Sequence, residues 1–281
     1  MKRESTAPAR PFKPRPPTQA APPPPKPRKP HPKEPSRPAA EPWLWGRHAV
    51  LAALANPLRK SLRLVATAEI AAELAARADL AEIPPPQIFE REALDRLLPA
   101  GAVHQGLALQ TRPLPAQSID DVIDATASAA ASVVVVLDQV SDPHNVGAVL
   151  RSAAAFGAAA VVLPDRHAPE VSGVLAKAAS GAVEHVPLVR VVNLVRTLER
   201  LKDSGWWIVG LEGTAERTLS SHALQGKVAL VLGAEGDGMR RLTREALDLT
   251  ARLPTGGPIA SLNVSNAAAV ALYELARERR G

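Results

Sequence analysis

Three short stretches combine polar side chains with turn-forming residues, each where an apolar run gives way to a helical pattern. In Pro254-Thr-Gly-Gly-Pro-Ile-Ala-Ser-Leu-Asn-Val-Ser-Asn266, Ser261, Asn263 and Ser265 gather at the start of a helix expected over Ala267 to about Arg279. A strand end, a turn and a helix start expose unpaired backbone N–H and C=O groups at one place. Three polar side chains in five residues exceed what one helix cap needs, which favours a ligand. In Asp142-Pro-His-Asn-Val-Gly-Ala-Val-Leu-Arg151, Gly147 and Arg151 share a helix face. Glycine inside a helix costs about 1 kcal/mol against alanine, so something is expected to approach closely there. A guanidinium beside that approach suits a phosphate or carboxylate. Taken alone, the stretch reads more simply as a surface arginine with Asn145 as a cap, and His144 as a turn residue. In Leu230-Val-Leu-Gly-Ala-Glu-Gly-Asp-Gly238, no Gly-Lys-Ser/Thr follows the glycines, which excludes a P-loop. A tight turn with Asp237 capping the next helix and a ligand loop both remain open.

The elements that must position these residues follow from periodicity. From Ser132 onward, short apolar runs at Val133–Leu137, Ala159–Leu163, Trp207–Leu211, Val228–Leu232 and Leu249–Leu253 read as strands covered on both faces. Helical patterns lie between them at Val146–Phe156, Glu170–Ser180, Asn193–Ser204 and Met239–Leu247. The alternation predicts a parallel sheet with helices on both sides, and ligands at the carboxyl ends of its strands. The small, apolar start of the last helix, Ala267-Ala-Ala-Val-Ala271, lets another backbone come close, inside the molecule or across a subunit interface. A smaller α/β unit is expected over residues 43–112, with helices at Arg47–Ala55, Ile70–Ala78 and Glu90–Leu98. Its strands are expected at Ser61–Thr67, Gln87–Phe89 and Gly106–Gln110. Residues 113–131 read as a linker holding a short helix at Ile119–Ala125.

Composition places the charge. Residues 1–42 carry ten Lys or Arg against three Asp or Glu and 15 of the 28 prolines, whereas residues 43–281 carry 24 against 25. The body is neutral, and the basic character belongs to a tail expected to be disordered or polyproline-like. A solubilising leader and an arm that speeds encounter with RNA are both compatible with it. The absence of cysteine excludes disulfides, thiolate zinc sites and a cysteine nucleophile. With no signal-peptide core and no run near the ~20 apolar residues of a membrane span, the sequence reads as cytoplasmic.

Taken together, Asn145-Val-Gly-Ala-Val-Leu-Arg151, Leu232-Gly-Ala-Glu-Gly236 and Leu253-Pro…Ser261-Leu-Asn-Val-Ser265 resemble the three signature motifs of the SPOUT superfamily. The branch they resemble is the TrmH-like RNA ribose 2′-O-methyltransferases, over about 150 residues from Val133 and in the right order. The resemblance implies an α/β fold whose C-terminal segment forms a trefoil knot, binding of S-adenosyl-L-methionine in the knot loops, and a homodimer whose active sites draw on both subunits. By motif position, Gly233, Leu253 and Leu262 would wrap the cofactor's adenosine with Leu211 beside it. Asn145, Arg151, Ser261 and Asn263 would face the ribose being methylated, and no metal is implied. In this reading Arg151 binds the adjacent phosphate and stabilises the developing alkoxide, because a guanidinium is a poor base. Thr255, Ala260 and Asn266 depart from the residues usual in the family, without removing a proposed catalytic group.

Residues 43–112, with Gly46-Arg-His48 and His104-Gln-Gly106, resemble the L30e-like substrate-binding domain of family members that modify large-subunit ribosomal RNA. The RlmB-type branch, acting on a guanosine ribose in the peptidyl-transferase region, is therefore expected, with Arg47 and His48 either contacting RNA or simply exposed. The alternatives are a tRNA ribose methyltransferase, whose relatives usually lack this domain and carry extra basic terminal helices, and a non-catalytic ribosome-assembly factor on the same fold.

Overall fold

The computed structural model describes residues 42–77, 83–166, 168–258 and 261–280. The expectations for the basic tail up to residue 41, for Ala78 and for Ala260 lie outside these residues. In chain order the elements begin with β1 (Trp43–Trp45), α1 (Arg47–Ala55), β2 (Ser61–Ala66), α2 (Ala68–Ala75), β3 (Gln87–Ile88), α3 (Arg91–Leu97) and β4 (Leu107–Thr111). Their strands form a four-stranded sheet in the order β1-β4-β2-β3. Central β4 runs antiparallel to both neighbours, and β2 and β3 are parallel. Helix α4 (Ile119–Ala125) follows, started by a capping box in which Ser118 and Asp121 exchange hydrogen bonds. These bonds hold the Asp121 carboxyl below its usual range.

The larger sheet is built from β5 (Ser132–Asp138), α5 (Pro143–Ala155), β6 (Ala160–Pro164), α6 (Gly173–Ala179), β7 (Leu188–Val191), α7 (Leu194–Asp203), β8 (Trp207–Leu211), β9 (Lys227–Gly233), α8 (Arg241–Glu245), β10 (Leu249–Ala251) and α9 (Val264–Arg280). Six strands pair in the order β10-β8-β9-β5-β6-β7, all parallel. The reason is visible in β5, buried along its whole length. Val133, Val135 and Leu137 face the core shared with α5, α6 and α9, and Val134 and Val136 face the one shared with α4 and α7. Burying each such side chain contributes roughly 1.5–3 kcal/mol, so a strand apolar on both faces is stable only between two helical layers.

Two strands were not expected from periodicity. β1 spans three residues, and β7 carries Arg190 among alternating burial. The other differences are local. Asp142, not Asn145, caps α5 by accepting from His144 N and Asn145 N, and Pro143 takes the first turn. Asp237 does not cap α8, whose N-cap is Arg240 with no side-chain bond. What approaches Gly147 is helix α6. A Cβ at Gly147 would lie 2.6 Å from the Leu175 carbonyl oxygen and from Ala178 Cβ.

Candidate active site

The three motif loops meet at the carboxyl ends of β5, β9 and β10. The glycine loop after β9 folds back on itself, with Ala234 and Gly238 exchanging backbone hydrogen bonds. Gly233 is required by that return, because a Cβ there would lie 2.1 Å from Gly238 C. The loop presents Glu235 to the other two motifs. Its Oε1 accepts from Asn145 Nδ2 at 3.2 Å, from Asn263 Nδ2 at 2.5 Å and from Val264 N at 3.4 Å. Asn263 Nδ2 also donates to Asn145 Oδ1 at 3.0 Å. The Asn263 Oδ1 accepts from Ser265 N, Ser265 Oγ and Asn266 N, which starts α9. One carboxylate therefore ties the beginning of α5, the glycine loop and the beginning of α9.

A second carboxylate braces the loop from below. Asp138, fully buried at the end of β5, accepts from Arg240 N at 2.9 Å and Arg240 Nε at 2.7 Å. The next residue, Gln139, has φ 64°, a left-handed conformation held at the sheet edge.

Beside this knot of hydrogen bonds lies a cleft of about 370 Å³. Leu211, Leu232, Leu253 and Leu262 line it with apolar side chains, together with the Gly233–Gly238 loop, Thr255 and Ser261. Among the described residues that line it, Glu212, Glu235 and Asp237 stand against one cation, Arg244, which is itself paired with Glu212 at 2.6 Å. All four residues expected around an adenosine, Gly233, Leu253, Leu262 and Leu211, line the cleft together with Ser261. Asn145 and Asn263 lie in the adjoining hydrogen-bonded cluster. Arg151 belongs to neither group. It is exposed on α5, six residues and so about 9 Å of helix beyond Asn145. Arg47 is exposed but paired with Glu73, and His48 is exposed. Among the described residues no group of His, Cys, Asp or Glu could hold a metal.

Sequence reasoning missed Glu235 and Asp138 as organising residues. The available signal was an acidic side chain between Gly233 and Gly236, in a loop otherwise free to be all small, and an aspartate closing an apolar strand.

The SpoU rRNA Methylase family matches residues 132–273, and the RNA 2′-O ribose methyltransferase substrate binding family matches residues 43–117. The 23S rRNA (guanosine-2′-O-)-methyltransferase RlmB of Escherichia coli K12 is 44% identical over 193 residues, covering 69% of this chain and 79% of that protein. The protein of the same name from Vibrio vulnificus is 45% identical over 179 residues, 64% of this chain and 72% of the relative. Among solved structures, the SpoU methyltransferase AviRb of Streptomyces viridochromogenes, in complex with AdoMet, superposes with a TM-score of 0.70 at 22% identity, covering 85% of this chain and 90% of that one. The AdoMet-bound rRNA methyltransferase of Sinorhizobium meliloti gives 0.66 at 22% identity over 84% and 87%. At such identities the two structures share the fold with this chain.

Proposed function

The chain belongs to the SpoU rRNA methylase family, and from this premise we propose that it transfers a methyl group from S-adenosyl-L-methionine to the ribose 2′-hydroxyl of a guanosine in large-subunit ribosomal RNA. The observation that carries the reading is the convergence of the three motif loops on Glu235, beside a cleft lined by the residues expected to hold the cofactor. The E. coli and V. vulnificus relatives named for 23S rRNA guanosine supply the substrate class.

The cleft fits the cofactor. Leucine side chains offer flat apolar contact to a purine, the glycine-loop backbone offers hydrogen bonds to its edge and to a ribose, and three carboxylates against one guanidinium suit a sulfonium cation. Bound there, S-adenosyl-L-methionine supplies a methyl group on a good leaving group. The protein's task is then alignment of the 2′-oxygen with that methyl, the hydroxyl proton being released to solvent water as the new C–O bond forms. Asn145 and Asn263, held by Glu235, fix the rim of the cleft where the target ribose enters, and Ser261 adds a hydroxyl there. Arg151 grips the phosphate next to the target nucleotide and stabilises charge developing on the 2′-oxygen, through donors that are free of ion pairs among the described residues.

In this reading the segment from Leu253 to α9 is threaded as a trefoil knot, supported by the way Asn263 is pinned between α5 and the glycine loop. The protein works as a homodimer. Val270 and Tyr273, three residues apart on α9, are 45% and 56% exposed, an apolar stripe suited to a second copy. The four-stranded unit engages the RNA, and the setting is the cytoplasm, where ribosomal RNA is modified. Labelled cofactor incubated with unmodified 23S rRNA or with bulk tRNA tests the substrate class. Label is expected in the ribosomal RNA, and label confined to tRNA rejects this assignment.

A further inference from the structure

The four-stranded unit is keyed to the larger sheet by contacts that fix both distance and orientation. Glu184 closes the short 3-10 turn after α6, and its carboxylate enters the smaller unit. Oε1 accepts from Arg59 Nη2 at 2.6 Å, and Oε2 from Arg59 Nε at 3.1 Å and Asn56 Nδ2 at 2.8 Å. Both charged side chains are only 2% exposed. Arg59 also donates to the Arg112 carbonyl at 3.1 Å, so the same guanidinium holds the point where the chain leaves the smaller unit. A second key lies at the other end of α1. Lys177 Nζ on α6 donates at 2.5 Å to Gln105 Oε1, which also accepts from Arg47 N at 3.2 Å. Burial pushes the Lys177 ammonium below its usual pKa. Small residues bring the surfaces together. A Cβ at Gly173 would overlap the Trp45 ring at 1.9 Å, and one at Gly181 would lie 2.7 Å from Ala52 Cβ.

The contacts continue inward. Helix α6 packs on α5 at Gly147, and α5 carries Asn145 and Arg151. A buried ion pair is weak as a source of stability, because desolvation offsets most of its Coulomb energy. A bidentate guanidinium–carboxylate pair does impose geometry, since small rotations break both bonds. Resting on the function proposed above, we propose that Glu184 is a positioning residue for the methyl transfer. By locking the RNA-engaging unit to α6 in one orientation, it sets the span from bound RNA to Asn145 and Arg151. Without this pair the apolar contacts of α6 with the smaller unit remain, but they set orientation less tightly, and the RNA reaches the cleft with a wider spread of orientations.

The absence of native cysteine makes the geometry directly measurable. Spin labels at Ile88→Cys, on the smaller unit, and Val192→Cys, on the larger one, both exposed, report their separation in the full chain. A single narrow distance is expected, broadened by Glu184→Gln. Glu184→Gln is also expected to raise KM for a 23S rRNA fragment about tenfold through the lost effective concentration, with cofactor affinity unchanged. Gln105→Asn tolerates the left-handed backbone at φ 57° but withdraws the acceptor from Lys177, whose ammonium is only partly buried and can turn to solvent. It should shift both readouts the same way and more weakly, which separates positioning from a folding defect. An unchanged distance distribution in Glu184→Gln, or a broadened one with KM for RNA unaltered, overturns the proposal. The distance arm needs no RNA. A wild-type protein that methylates no ribosomal RNA would therefore reject the proposed function while leaving the lock to be decided by the spin labels.

Discussion

At the residue scale, the account rests on groups with separable duties. Arg151 lies outside the hydrogen-bonded cluster and lines no part of the cleft; in the function proposed above it acts on the RNA and the reacting oxygen. Arg151→Lys keeps the charge but loses the planar fork. It is expected to lose nearly all turnover while calorimetry finds cofactor affinity intact, and full activity in this variant would refute the role. Glu235 has a different character, since it ties the three loops together. Glu235→Ala removes the acceptor that the Asn145 and Asn263 amides and Val264 N–H share, and because these bonds lie near solvent the loss falls on loop placement more than on stability. Misplacing the rim in this way should lower turnover on the order of 100-fold, measured at saturating RNA.

At the element scale, Gly147 sets two local rules against each other. Helix propensity alone makes Gly147→Ala stabilising by about 1 kcal/mol, but the added Cβ meets the Leu175 carbonyl oxygen at 2.6 Å, and backbone cannot swing aside. Overpacking of about 1–3 kcal/mol should win, so the melting temperature is expected to fall, and a rise would show that α5 and α6 can part. The same residue shows what the sequence could and could not reveal. A glycine in a helical pattern signalled close approach, yet nothing local said whether a ligand or a helix was coming. Apolar runs such as Val133–Leu137 marked the central strands because burial on both faces leaves no polar alternation to confuse. β7 escaped notice because Arg190 lies among its apolar residues. The motif loops were legible as loops, but the carboxylate joining them was not, since Glu235 and Asn145 are 90 residues apart. The Glu184–Arg59 key, 125 residues apart, left no local trace at all.

At the scale of the whole molecule, acid stability and assembly are both open to measurement. Burial, aided by the nearby Arg217 charge, pushes the His222 imidazole below its usual pKa. Its folded-state value lies under the unfolded one near 6.5, so within that interval the unfolded chain binds more protons. This contribution to stability is complete above about pH 6.5 and is lost as pH falls. His222→Gln should therefore flatten the fall in melting temperature as the pH is lowered from about 6.5, relative to wild type; parallel curves would contradict it. Val270→Glu places a charge in the apolar stripe of α9 and is expected to yield monomers by light scattering with little methyl transfer, whereas an active monomer would remove the dimer from the account. The most direct test of the central claim is the chemical identity of the product. After transfer of labelled methyl groups to unmodified 23S rRNA and complete digestion to nucleosides, the label should elute as 2′-O-methylguanosine. Label on a nucleobase, or none in the RNA at all, would contradict it.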